Sequence, residues 1–192
     1  MTAVMFDLFE IEIARHDWTR LRSASSSARV PMALRDLRAA RTGAAAMAAF
    51  EEIDGCVIAD GFVYESALPA TACLVLALSG ATYLSRKHIL RILRSIADAE
   101  IAPIELERGN DLLAAKCIEE MRRAFITISV LVDSADADEL EYALDLIGLL
   151  SVQDSTLRVR ASDYINALLR DSRPSWLDRE LAENWLVALA GH

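Results

Sequence analysis

Side chains that could do chemistry are few and scattered along this chain. Among His16, His88 and His192 no two stand at the His-x-x-x-His spacing, and Cys56, Cys73 and Cys117 include no Cys-x-x-Cys pair. Those spacings place two ligands on one side of a metal, so no metal is expected. A Cys–His nucleophile needs a thiolate, yet each cysteine falls on the inward side of an apolar helical pattern, where a thiol stays protonated and inert. His88 lies four residues before Ile92 at the edge of an apolar stripe, which suits a packed imidazole better than a general base. There is no Gly-x-x-x-x-Gly-Lys phosphate loop, no Gly-x-Gly-x-x-Gly and no Gly-x-Ser-x-Gly, the backbone devices that cradle phosphates or present a serine. Carboxylates are abundant, in the neighbouring pairs Glu51-Glu52, Glu119-Glu120 and Asp138-Glu139. Adjacent helical residues point about 100° apart, so such pairs make poor acid–base dyads. No catalysis, no cofactor and no small-molecule substrate are expected.

The placement of charge says more. The net charge is −9. Between Arg41 and Arg86 there is no lysine or arginine, while Glu51, Glu52, Asp54, Asp60 and Glu65 all fall there. Between Arg123 and Arg158 the same holds around Asp133, Asp136, Asp138, Glu139, Glu141, Asp145 and Asp154. Uncompensated acid repels itself, and a basic partner relieves that repulsion. Nucleic acid binding ordinarily starts from a basic face, so nucleic acid is not the expected ligand. Arg86, Lys87, Arg91 and Arg94 form the one basic cluster, read either as ion-pair partners for neighbouring acids or as a phosphate-contacting strip.

The elements that must carry these residues read as helices nearly throughout, with no alternating strand pattern. Ile89, Ile92, Leu93, Ile96 and Ala97 form one stripe of a helix over Ser85–Ala99, with Ser85 as its expected cap. Asn110–Val132 predicts one long helix, buried on all sides in its second half. Asp136 and Glu139 begin a helix like a capping box, carrying Leu140, Ala143, Leu144, Ile147 and Leu150 inward. Ser155–Arg170 follows, then a break at Pro174, a Ser175 cap, and Trp176–Ala190. Upstream, Pro31 suits the first turn of a helix to Ala40, Thr42 caps another, and the turn Asp60-Gly61 leads into Tyr64–Ser79. Residues 1–30 are expected to be partly irregular, with a linker at Ser23–Ser27, and 31–192 to form a single domain; Glu100–Gly109 reads as the longest loop. Trp18, Trp176 and Trp185 are expected to seal the ends of the fold.

Hydrophobic residues make up 54% of the chain and mean hydropathy is +0.25, so membrane insertion needs a specific test. The most apolar stretch, Ala67–Ala81, is interrupted by Pro69 and Thr71 and falls short of the roughly 20 residues a spanning helix needs. Acidic Asp7, Glu10 and Glu12 stand where a signal peptide carries basic residues. With three widely spaced cysteines, these features predict a cytoplasmic protein that makes no membrane contact.

The helices fall into pairs over 31–59, 64–99, 110–151 and 155–190, the unit length of HEAT and armadillo repeats. The segment GFVYESALPATACLVLAL, within Ala33–Leu78, resembles a group of small bacterial HEAT-like proteins through Gly61, Val63, Tyr64, Ala67, Pro69 and Ala70. Ala59-Asp60 depart from the His-Gln pair common there. The resemblance implies an all-α, short, right-handed HEAT-like α-solenoid of about four helical pairs; an irregular helical bundle is the alternative. It also implies an interaction protein, since HEAT-like folds occur among immunity proteins encoded beside bacterial toxins. The expected function is therefore occlusion of a basic protein partner such as a toxin nuclease, through Glu51, Glu52, Asp138, Glu141 and Asp145. A HEAT-like DNA glycosylase or nucleic-acid binder, and a scaffold or regulatory subunit, are the alternatives.

Overall fold

The computed structural model describes residues 7–132, 136–152, 154–171 and 175–191. Asp133, Pro174 and His192 therefore lie outside the described residues, as does the side chain of Trp176. The fold is all-α. Its helices are α1 (Leu8–Ala14), α2 (Val30–Ala39), α3 (Gly43–Val57), α4 (Ala67–Leu78), α5 (Tyr83–Asp98), α6 (Pro103–Glu107), α7 (Leu113–Arg122), α8 (Phe125–Leu131), α9 (Ala137–Ser151), α10 (Ser155–Arg170) and α11 (Trp176–Ala190).

Local chemistry starts these helices where expected at several points. Thr42 accepts a hydrogen bond from Ala45 N, Asp136 from Glu139 N, and Ser175 forms a reciprocal capping box with Asp178. Each satisfies an orphan donor of the first turn. Pro31 occupies the first turn of α2, where its missing N–H costs nothing. Ser85 is a correction: α5 starts one turn earlier behind Thr82, and the buried Ser85 hydroxyl donates to Leu37 O of α2 at 2.5 Å. A cap position and an interhelical bond need the same short hydroxyl, so sequence alone does not separate them.

Each helix packs on its successor within the pairs α2–α3, α4–α5, α8–α9 and α10–α11. Between pairs, α3 meets α5, α5 meets α9 and α9 meets α11, while α2 meets α4 and α4 meets α7. At the centre, Ile89, Leu90, Ile92 and Leu93 of α5 are fully buried. In α4, Ala67, Ala70, Cys73 and Ala77 are small enough for α1, α2, α5 and α7 to close around it. One continuous core runs from Phe9 to Leu189 and takes in Phe9, Ile13 and Trp18 of the N-terminal segment.

Three departures have clear causes. The Asp60-Gly61 turn makes a strand pair, β1 (Ile58–Ala59) with β2 (Phe62–Val63), because both residues take positive φ (51° and 81°) and so form the turn that matches strand twist. β3 (Glu100–Ile101) then adds parallel to β2, and α6 follows at once, so Glu100–Gly109 is ordered structure and not a loop. The helix expected over Asn110–Val132 is two, α7 and α8, broken at Arg123–Ala124. α8 is not enclosed: Phe125 and Ile128 face the core, while Ile126 (49%) and Val130 (64%) are exposed.

Candidate functional site

The acidic positions singled out by the sequence lie on α3 and α9, the two helices that flank α5. α5 turns its basic face toward them. Arg86 Nε stands 3.2 Å from Glu139, Lys87 Nζ 3.6 Å from Asp138, and Arg94 Nε 3.2 Å from Asp145, with Asp98 3.5 Å from Arg94 Nη1. The Arg91 guanidinium lies over the Phe50 ring at 4.6 Å, an attraction of charge to the ring face. The basic cluster is thus the clasp between α5 and its neighbours.

The predicted residues divide accordingly. Asp145 is largely buried, taking Arg94 on one oxygen and the Trp185 indole N–H at 3.0 Å on the other. It holds α9, α5 and α11 together. Glu52 pairs with Arg29 at 2.9 Å, and Asp138 makes the long contact to Lys87. Glu51 and Glu141 are exposed, with no cation at ion-pair distance among the described residues; the same is true of Asp36 and Asp60. Burial raises the Glu139 carboxyl above its ordinary value, with Arg86 pulling the other way, and burial likewise raises Asp54 against Arg91. Asp54, Asp60, Asp98 and Arg94 line a polar hollow of about 380 Å³ between α3 and α5.

The nucleophile candidates are placed in the core. Cys56, Cys73 and Cys117 are buried and reduced. Burial pushes the Cys73 and Cys117 thiols up to about 12, so neither holds a thiolate at neutral pH. His88 packs against Phe50 with ring centroids 5.4 Å apart, and its pKa is lowered by burial and then by Lys87 and Arg91. Among the described residues no group of His, Cys, Asp and Glu has the geometry to hold a metal ion. No described helix is long and apolar enough to cross a membrane.

Trp18 and Trp185 both pack against the core. Trp18 is buried and donates its indole N–H to Ile13 O at 2.8 Å. The half-buried Trp185 sits against Gly148 so closely that a Cβ there would clash with its ring.

One polar centre was not foreseen. Glu105, fully buried in α6, accepts Arg22 Nε at 3.0 Å, Arg22 Nη2 at 2.7 Å, Asn110 Nδ2 at 3.1 Å and Glu65 N at 3.0 Å. Arg22 also reaches Glu65 at 3.2 Å. The centre pins the N-terminal segment to the strand turn and to the α6–α7 corner. A Glu beside Pro103 in an apolar segment was its only trace in the sequence.

No protein-family model matches this chain, and the comparisons with curated proteins and with solved structures likewise found no match.

Proposed function

We propose that this chain is a non-catalytic protein-interaction module, its helical pairs stacked in order as a short HEAT-like solenoid that binds a basic protein partner. The observation that carries the reading is the imbalance left after internal pairing. α5 spends its cations on the acids of α9 and on Phe50, while Asp36, Glu51, Asp60 and Glu141 stay exposed without a cation at ion-pair distance among the described residues. Exposed charge of one sign steers a partner of the other and selects against wrong ones. The order of contacts α3–α5–α9–α11 supports stacking. Its specific form is an immunity protein covering the cleft of a basic toxin. A nuclease suits best, because a cleft that holds phosphates is lined with Lys and Arg.

Affinity capture with the full chain, followed by titration of the recovered partner, tests the reading. Glu51→Lys with Glu141→Lys should weaken binding at least about tenfold, mainly through slower association at low salt. A captured partner that is acidic, or an affinity indifferent to both reversals, refutes it. The immunity form further requires that one equivalent of this chain abolish the partner's hydrolytic activity.

A further inference from the structure

The outward side of the first turns of α3, with the start of α2 beside it, is not the polar surface expected of a solvated helix. Ala44, Ala45, Met47 and Ala48 of α3 face solvent, as does Met32 of α2, which is 69% exposed. Between the two helices runs a groove of about 660 Å³ floored by Ala28, Met32, Ala45 and Ala48. The alanines place nothing beyond Cβ between the helix backbones, which leaves this space open to solvent. Exposed apolar grooves of this kind mark binding sites, and the methionine in its floor adapts to a partner's side chains.

The rim decides the occupant. Asp36 and Glu52 border the groove, and Glu51 follows Met47 and Ala48 one turn along α3. The one cation among the described residues that line it, Arg29, is held by Glu52 at 2.9 Å. A second copy of this chain would bring the same acids face to face, on a molecule whose net charge is already −9. An amphipathic helix with a basic flank satisfies both features, its apolar stripe in the groove and its Lys or Arg beside Asp36 and Glu51. We infer that the α2–α3 groove is the docking site for a basic amphipathic helix of a protein partner. This rests on the reading above and narrows it to one surface.

The test uses a labelled synthetic helix of about five turns, leucine on one side and lysine on the other, and a scrambled peptide of the same composition. Fluorescence anisotropy with the full chain should give saturable binding that weakens with salt, at least about tenfold tighter than for the scrambled peptide. Ala48→Trp, which fills the groove, and Met32→Asp, which charges its floor, should each weaken binding at least about tenfold. Asp163→Lys, a charge reversal on the exposed side of α10, which packs on α9 and α11, should stay within about twofold of the parent. Melting curves establish that each variant folds. Equal binding of the scrambled peptide, or no binding of either, overturns the groove assignment. Loss with the α9 double variant Asp138→Lys/Glu141→Lys but not with Ala48→Trp overturns the groove while leaving the basic-partner reading standing. A dimer in solution that Ala48→Trp dissociates makes the occupant a second copy and overturns the inference.

Discussion

Replacing Glu105 by glutamine removes one charge and changes almost no volume, so it isolates what the buried centre contributes. The carboxylate accepts Arg22 Nε and Glu65 N on one oxygen, and Arg22 Nη2 and Asn110 Nδ2 on the other. A glutamine keeps one of those oxygens; whichever way it turns, its NH₂ faces two donors. Hydrogen bonds to a charged group contribute about 1.5–3 kcal/mol each, and breaking one side of a buried pair costs about 3–5 kcal/mol. Glu65 stays within reach of Arg22, which places the expected loss near the lower end, about 3 kcal/mol. For a chain of this size that lowers Tm by about 6–12 °C. Acid supplies the control. Burial alone would raise the Glu105 carboxyl, but hydrogen bonds from Arg22, Asn110 and Glu65 N, with the charge of Arg22, outweigh it and hold the group below its ordinary value. A depressed native pKa means stability that is complete above the unfolded value of about 4.3 and lost as pH falls through the native one. Urea unfolding of Glu105→Gln and the parent at neutral pH and at successively lower pH should therefore show a gap that closes on acidification. A neutral-pH loss under about 1 kcal/mol, or a gap independent of pH, refutes the role given to this centre.

Other expectations are equally direct. Gly148→Ala, favourable by helix propensity alone, should instead destabilise by about 1–3 kcal/mol because its Cβ meets the Trp185 ring; a melting curve and a shifted tryptophan emission read it. Arg86→Met should cost more than Glu139→Gln, since it strands a carboxylate whose side chain is 3% exposed while Arg86 at 20% can turn to water; urea midpoints compare them, and the reverse order would overturn the argument. Cys73 and Cys117, with thiols pushed up to about 12, should resist a disulfide reagent at pH 8 until the chain unfolds, and prompt labelling of the native protein contradicts that placement. His88, lowered mainly by burial, should make stability fall as pH drops below about 6.5, where the unfolded imidazole gains a proton that the folded one refuses; His88→Gln should flatten that slope.

Local chemistry decided the class of this fold and much of its punctuation. The stripe Ile89, Ile92, Leu93, Ile96, the caps at Thr42, Asp136 and Ser175, and the proline opening α2 act within one or two turns, so the chain's own order contains them. Asp60-Gly61 was readable as a turn, but not as a hairpin with a third strand, because β3 arrives from 38 residues further along, Phe62 pairing with Glu100. Glu105 and Arg22 are separated by 83 positions, and nothing beside either announces the other. The acids of α9 illustrate the general reason. Asp138, Glu139, Glu141 and Asp145 are alike as sequence, yet packing against α5 ties up three of them and leaves Glu141 to solvent. Helix and cap follow from short-range geometry, whereas whether a charge meets water or a guanidinium depends on which distant element the core brings beside it.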